Sequence, residues 1–299
     1  MPTYALTGGL GSGKSLCATG RMQEYLRQGR RVATNFNLYL DKLLHPRSQM
    51  SCIRLPDFPT IEDLNVIGRG HYIPDKNRPG HYAKDERHNG LIVLDECNVL
   101  FNSREWGDKR RAAVIAWLRH SRKLGWDVIY TMQSLDAIDK QIRSGLIEHE
   151  GVCKRTDRLS IPFIGGLLRY LGLPSRPPRV HVCSVKYGIT HSALVVDRWF
   201  YRGLTVQGGY DTNQVFSETD SPGLHTVLPP FLTHGRYLPP PLLKRCLLWA
   251  AGTPWRPVHN YKPKLPLVER IQRLPVERRL EFFRRFEATG AFEVEKCAS

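Results

Sequence analysis

Hydrophobic positions in the first half of the chain follow two patterns. Short continuous apolar runs at residues 4–7, 91–94 and 127–132 are typical of strands that are buried on both faces of a parallel sheet. Apolar residues at helical spacing over residues 14–28 and 108–124 predict amphipathic helices between these strands. This strand–helix–strand alternation predicts an α/β fold with a central, mostly parallel sheet that is flanked by helices.

The character of the chain changes after about residue 157. Proline and glycine become frequent there, and short β-like runs appear at residues 180–187 and 191–201. From residue 264 the pattern becomes helical and basic. Three regions are therefore predicted: an α/β domain at 1–157, a smaller, mostly β region at 158–262, and a basic amphipathic helical tail at 263–299.

Charge narrows the kinds of partner. The 44 Lys and Arg residues outnumber the 28 Asp and Glu residues, so the formal net charge is +16. This charge indicates an anionic partner, either a nucleic acid or an anionic membrane surface; a basic but otherwise ordinary enzyme is the alternative. The seven cysteines lack the spacing of a zinc site, which indicates reduced thiols in a cytosol-type compartment. No apolar segment is long enough to predict a membrane-spanning helix.

Residues 8–15, GGLGSGKS, match the phosphate-loop pattern G-x-x-x-x-G-K-[ST] at every fixed position. The motif lies between a predicted strand and a predicted helix. Its glycines let successive backbone amides curl around a phosphate, and the helix N-terminus adds partial positive charge. We expect Lys14 to reach the β- and γ-phosphate oxygens and the Ser15 hydroxyl to ligate Mg²⁺. The residues expected to bind the nucleotide are Gly8, Gly9, Gly11, Ser12, Gly13, Lys14, Ser15 and Leu16.

An acidic pair follows a buried run. Asp95 and Glu96 come directly after residues 91–94. We expect Asp95 to hold Mg²⁺ and Glu96 to polarise the attacking water as a general base; a surface Asp-Glu turn is the alternative. An adjacent Asp-Glu pair favours ATP hydrolysis over kinase-type transfer, which does not require a water-activating glutamate. ATP and Mg²⁺ are therefore the expected ligands.

Three further side chains are candidates for catalysis. Gln133 follows the strand predicted at residues 127–132, where it is expected to contact the γ-phosphate or the attacking water, or else to cap a turn. In ring-forming ATPases an arginine of the neighbouring subunit stabilises the charge of the transition state. Arg122 is the first candidate for this arginine finger and Arg143 is the second, with a solvated basic face as the alternative for each.

Six segments carry a resemblance to a known family. They are TGGLGSGKS (7–15), GRRVATNFN (29–37), LIVLDECNVLF (91–101), WLRHSRKLGWDVIYTMQS (117–134), IDKQIR (138–143) and GGYDTNQ (208–214). Together they resemble the zonula occludens toxin (Zot) N-terminal domain family, which includes the assembly ATPase of filamentous phages and belongs to the additional-strand P-loop NTPases, near the FtsK/HerA pumping ATPases. The resemblance assigns phosphate binding to Gly8, Gly13, Lys14 and Ser15, Mg²⁺ and water activation to Asp95 and Glu96, and γ-phosphate sensing to Gln133.

The resemblance implies a Mg²⁺-dependent ATPase motor that drives filamentous phage (inovirus) assembly and export. Members typically act at the host inner membrane, where they exchange the single-strand-binding coat of the genome for capsid protein. The expected partners are further copies of the chain in a ring, phage DNA or a nucleoprotein filament, phage coat and assembly proteins, and peripherally the inner membrane. The expected location is the bacterial host cytoplasm or the cytoplasmic face of that membrane.

Two alternatives remain open at this point. Many members carry a transmembrane helix after the ATPase domain, and none is predicted here. The first alternative is therefore a genome-packaging ATPase that acts in the cytoplasm. The second alternative is a nucleotide-switched scaffold or toxin-like binding protein with little turnover. Phosphate release with and without DNA separates this scaffold from either motor.

Overall fold

The computed structural model describes residues 3–75, 82, 85–101, 109–138, 140–158, 179–189, 193–217 and 221–253. The strands are β1 (Thr3–Thr7), β2 (Val32–Thr34), β3 (Cys52–Arg54), β4 (Gly90–Leu94), β5 (Trp126–Thr131), β6 (His149–Arg155), β7 (Val180–Tyr187), β8 (Val195–Arg202) and β9 (His225–Val227). The helices are α1 (Lys14–Arg27), α2 (Leu40–Leu43), α3 (Ile61–Ile67), α4 (Cys97–Leu100), α5 (Lys109–His120), α6 (Lys140–Leu146), α7 (Gly203–Val206), α8 (Pro230–Thr233) and α9 (Leu242–Ala250). Short 3-10 helices cover Glu86–His88, Ser121–Leu124, Leu135–Ala137, Thr156–Arg158 and Gly235–Tyr237.

These strands form one mixed sheet in the order β8-β7-β6-β1-β5-β4-β2-β3-β9. The six strands from β6 to β3 are parallel to one another. β7 and β9 add antiparallel strands to the two sides of this set, and β8 adds another beside β7. The predicted α/β class with a central, mostly parallel sheet is confirmed. β5 lies between β1 and β4.

Each face of the sheet is covered by its own hydrophobic core. Successive residues of β4 belong to different cores: Val93 packs in the cluster that contains Met22 of α1, and Leu94 packs in the cluster that contains Leu118 of α5. All five residues of β4 are buried. Burial on both faces explains why the apolar runs in the sequence are continuous instead of alternating.

In the structure the central sheet continues past residue 157. β7 continues the sheet beside β6, with Glu150 opposite Lys186 and Arg155 opposite His181, and β9 pairs with β3. The chain divides into the compact units Met1–Arg236 and Tyr237–Ser299. The strands of the predicted β region are therefore part of the first unit, because β6 and β3 carry backbone N–H and C=O groups on their outer sides that later strands satisfy.

The second unit is described only as far as residue 253, and α9 is its helix within that part. The basic tail predicted at 263–299 lies outside the described residues. Within the described part of the chain, no helix is long and apolar enough to cross a membrane.

Candidate nucleotide-binding site

The candidate site lies where three neighbouring parallel strands end. The phosphate loop follows β1, Asp95 follows β4, and Gln133 follows β5 after one intervening residue. Because these strands are parallel, their carboxyl ends meet at one edge of the sheet, where ligands of open α/β sheets bind. A cavity of about 470 Å³ opens there, and its lining includes Lys14, Ser15, Asp95, Glu96 and Gln133.

The phosphate loop has the backbone that its glycines permit. Gly8, Gly11 and Gly13 have φ values of 145°, 69° and 95°, which side-chain-bearing residues rarely adopt. The loop leads directly into the 14-residue helix α1. Among the described residues no side chain caps the start of α1, and its first turn holds no acidic residue. The first amide groups of the helix and its positive dipole end therefore suit an anionic ligand.

The side chain of Lys14 contacts the phosphate loop, and the side chain of Ser15 contacts Asp95. The Nζ atom of Lys14 donates to the carbonyl oxygens of Gly8 and Gly9, at 2.8 and 3.3 Å, so its charge lies at the phosphate loop. The hydroxyl of Ser15 donates to Oδ2 of Asp95 at 2.9 Å. A hydroxyl and a carboxylate at this separation are hard oxygen donors that fit Mg²⁺, so the side chains present agree with the expected ion.

Neighbouring strands hold the carboxylate of Asp95 in place. Its Oδ1 atom accepts hydrogen bonds from the backbone N–H of Glu96 at 2.9 Å and from the hydroxyl of Thr131 in β5. Its backbone N–H donates to Oδ1 of Asn35 at 2.8 Å, and its carbonyl oxygen accepts from Nδ2 of the same side chain at 3.1 Å. The buried Asn35 follows β2, so groups at the ends of β2 and β5 set the position of this carboxylate between them.

Glu96 has an unusual backbone for its residue type. Its φ of 52° is the only positive value among the non-glycine residues described. The pKa of the Glu96 carboxyl group is raised, mainly because the group is partly buried and secondly because the negative charge of Asp95 is adjacent. Backbone strain of this kind is typically retained at functional sites.

The remaining residues predicted to bind nucleotide differ in exposure. Ser12 is buried, and its hydroxyl has no hydrogen-bond partner among the described residues. The side chain of Leu16 is buried in the core beneath α1, which leaves only its backbone for phosphate binding. Gly9 is exposed, and Gln133 is exposed at the cavity while its carbonyl oxygen accepts from the N–H of Gly8 at 3.4 Å.

Neither candidate finger arginine lines the cavity of its own chain. Arg122 precedes β5 and lies 3.9 Å from both Glu86 and Glu148, which places it at the amino edge of the sheet, away from the phosphate loop. Arg143 follows β5 in sequence and pairs with Asp136 at 3.4 Å. A finger that acts in a neighbouring subunit does not have to line its own site, so this role stays a prediction for both.

The family is settled by the extent of the sequence match. The family described as zonular occludens toxin (Zot) matches residues 2–175, which is more than half of the 299 residues. The chain belongs to the Zot family. This match confirms the resemblance to the Zot family, and five of the six segments that carry the resemblance lie within the matched range.

Phage proteins are among the relatives of this Zot chain. The gene 1 protein of Escherichia phage If1 is 44% identical over 243 residues, covering 79% of this chain and 65% of that protein. The gene 1 protein of Enterobacteria phage M13 is 42% identical over 248 residues, covering 80% of this chain and 67% of that protein. The match thus spans about two thirds of the length of these relatives. Among solved structures, the N-terminal domain of zonular occludens toxin from Neisseria meningitidis is 15% identical, with a TM-score of 0.38, over 71% of this chain and 100% of that one.

Three parts of the site were not assigned a role from the sequence. Asn35 belongs to the segment GRRVATNFN, which contributed to the resemblance without any function. Residues 208–217, which we call the strap, contain the segment GGYDTNQ. The strap residues that line the cavity are Tyr210, Asp211, Thr212, Gln214 and Phe216. Arg155 of β6 donates to the carbonyl oxygen of Gly11 at 3.4 Å. The segments that contain Asn35 and the strap were visible in the sequence, but their contacts with the site were not. Arg155 lies in none of the six segments.

Replacement of Gly13 by alanine tests the geometry of the phosphate loop. A Cβ at Gly13 would overlap the ring of His181 in β7, and the positive φ adds strain. We expect Gly13→Ala to lower the free energy of unfolding by about 1–3 kcal/mol and to weaken binding of a fluorescent ATP analogue. Urea unfolding and fluorescence titration measure the two effects.

Gly9→Ala is the matched control, because a Cβ there meets no described atom within 4 Å. Its unfolding free energy should stay within about 0.5 kcal/mol of the wild type. Unchanged nucleotide binding by Gly13→Ala would contradict a phosphate-binding role for this loop geometry.

Proposed function

We propose that this chain is a Mg²⁺-dependent ATPase. The observation that carries the proposal is the 2.9 Å hydrogen bond between Ser15 and Asp95 beside the phosphate loop. In this role Lys14 binds the β- and γ-phosphate oxygens, and the backbone amides of residues 8–16 surround the phosphates. Ser15 and Asp95 hold Mg²⁺. When bound, this ion neutralises charge on the phosphate oxygens and on the leaving group.

Glu96 is the proposed general base. It lies beside Asp95 at the cavity, where its carboxylate takes a proton from the water that attacks the γ-phosphate. Gln133, at the end of the neighbouring β5, orients this water or contacts the γ-phosphate. The left-handed backbone of Glu96 supports a functional role, because strain of this kind persists where function requires it.

The proposed working form is a homo-oligomeric ring. Since neither Arg122 nor Arg143 lines the cavity of its own chain, the arginine finger is supplied by the next copy, with Arg122 as the first candidate and Arg143 as the second. Such a finger stabilises the charge that develops on the transferred phosphoryl group.

The proposed biological role is to drive phage assembly and export from the cytoplasmic face of the bacterial inner membrane. Membership of the Zot family and identity of 42–45% to gene 1 proteins of phages support this role. The net charge of +16 supports an anionic cargo, either phage DNA or its nucleoprotein filament. Phage coat and assembly proteins are the proposed protein partners.

Lys14→Ala and Glu96→Gln separate nucleotide binding from chemistry. Lys14→Ala should abolish phosphate release and weaken ATP binding, because it removes the positive charge that binds the phosphate oxygens. Glu96→Gln should still bind ATP while its turnover falls by about 10²- to 10⁴-fold, since it removes the general base. Lys244→Ala, which replaces an exposed lysine of α9, is the control and should hydrolyse ATP like the wild type. Wild-type rates in both site variants would refute the assigned roles.

Mixing of variants tests the arginine finger. Arg122→Ala alone should lose about 10³-fold or more in turnover while it still binds ATP. Mixed with Lys14→Ala, it should recover part of the activity, because each Lys14→Ala subunit supplies Arg122 to an intact phosphate loop. A mixture of Lys14→Ala with Glu96→Gln is the control and should stay inactive if those two residues act in the same subunit. Arg143→Ala is tested in the same way, and full activity of Arg122→Ala alone rejects Arg122.

Infection tests the biological role. Phage that encode Glu96→Gln should release few virions, and the genome should accumulate inside cells with its single-strand-binding coat. The protein should sediment with the inner membrane. Association with completed capsids in the soluble fraction would instead indicate genome packaging, and normal virion release would contradict both motors.

A further inference from the structure

The strap follows a defined path beside the end of β2. The N–H of Tyr39 donates to the carbonyl oxygen of Gly209 at 2.8 Å, and the N–H of Asp211 donates to the carbonyl oxygen of Asn37 at 3.1 Å. A Cβ on Gly209 would overlap the side chain of Leu43 in α2, so only glycine allows the strap to approach this closely. The strap is therefore attached to the segment between β2 and α2 through its backbone.

Gln214 adds a side-chain attachment. Its Oε1 atom accepts from the N–H of Asn37 at 2.8 Å. Its Nε2 atom donates to the carbonyl oxygen of Asn35 at 3.3 Å and to Oδ1 of Asp57 at 3.1 Å. One glutamine thus joins the strap to the ends of both β2 and β3 in three hydrogen bonds.

A buried ion pair fixes the carboxylate to which Gln214 donates. The side chains of Arg54 and Asp57 are 1% and 3% exposed, and they pair at 2.6 Å. The second oxygen of Asp57 accepts from the N–H of Ser217 at 3.1 Å, which holds the far end of the strap. Burying two charges is costly, so this pair is better explained by the position it imposes than by a gain in stability.

The same network reaches the site of the expected metal ion. The side-chain amide of Asn35 bonds both backbone groups of Asp95, and its Nδ2 atom also donates to the carbonyl oxygen of Asp57 at 2.9 Å. The side chain of Asn35 therefore connects the backbone of Asp95, whose carboxylate fits Mg²⁺, with the backbone of Asp57, whose carboxylate anchors the strap.

The anchored strap lines the cavity. Tyr210, Asp211 and Thr212 line the same cavity as Lys14 and Ser15. The ring of Tyr210 also packs edge-on against Phe36, with 6.2 Å between the ring centroids. The strap thus offers a phenol, a carboxylate and a hydroxyl to whatever binds at the phosphate loop.

We propose that the strap is part of the nucleoside triphosphate site, with Thr212 as a contact residue and Gln214 as a positioning residue held by the Arg54–Asp57 pair. This inference rests on the proposed function only in requiring that the cavity binds a nucleoside triphosphate. Groups on a loop must be tethered to contact a ligand reproducibly, and the Gln214 bonds supply that tether.

Thr212→Ala tests the contact without disturbing the fold, because Thr212 is exposed. Its affinity for a fluorescent ATP analogue with Mg²⁺ should weaken by about 3- to 10-fold, as expected for the loss of one hydrogen bond. Asn213→Ala is the matched control, since Asn213 is also exposed but does not line the cavity. Its Kd should stay within about twofold of the wild type.

Gln214→Leu tests positioning. It replaces the amide with a branched apolar side chain of similar size and removes all three hydrogen bonds, so the Kd should rise by about 10-fold or more. In the wild type, Mg²⁺ with a slowly hydrolysed ATP analogue should slow deuterium uptake by residues 208–217, and in Gln214→Leu this protection should be lost. Urea unfolding, run in parallel, identifies a purely structural role, which lowers stability but leaves the Kd of the folded variant unchanged.

The outcomes separate the two proposals. If the wild type binds nucleotide while Thr212→Ala and Gln214→Leu bind it equally well, the strap proposal fails and the ATPase proposal stands. If the wild type binds no nucleotide, both fail. Weaker binding by both variants with an unchanged Asn213→Ala supports the strap proposal, whatever the turnover rate.

Discussion

The hydrogen bond between Ser15 and Asp95 joins two residues that are 80 positions apart, and the proposed function of the site depends on it. It forms because β1 and β4 run in the same direction and end at the same edge of the sheet. β5 lies between them and contributes Thr131, whose hydroxyl holds the other oxygen of Asp95. Without this convergence, the phosphate loop and the acidic pair would be two unrelated motifs.

The polar side chains that are hydrogen-bonded near Asp95 favour a defined geometry of the site over maximum stability of the fold. Asn35, Arg54, Asp57 and Gln214 are connected by hydrogen bonds at the carboxyl ends of β2 and β3. An apolar cluster in the same place would avoid the cost of burying charge, but it would allow the strap to take several positions. In the proposed role, in which the site surrounds a triphosphate, a single position of the strap is an advantage.

The strands beyond residue 157 support the same site. His181 of β7 lies 3.3 Å from the carbonyl oxygen of Ser12 and fills the space beside Gly13, so the phosphate loop rests against a strand that the sequence placed in another region. The site and Arg122 lie at different edges of the sheet. In a ring with heterologous interfaces, one surface of each copy contacts a different surface of the next copy. An arginine finger at the amino edge requires this arrangement, because it has to reach the site at the carboxyl edge of the next copy.

Local patterns in the sequence were sufficient for the α/β class, for the central strands and for the candidate residues Lys14, Ser15, Asp95 and Glu96. Each of these depends on neighbours within a few positions: the glycine spacing of the loop, a continuous apolar run, or an acidic pair at its end. Only the tertiary structure decided that β7, β8 and β9 extend the central sheet, that the strap lines the cavity, and that Arg122 lies at the other edge from the phosphate loop. Strand order and long-range contacts are set by hydrogen bonds and packing between segments far apart in the chain, and no local pattern encodes which segments will meet.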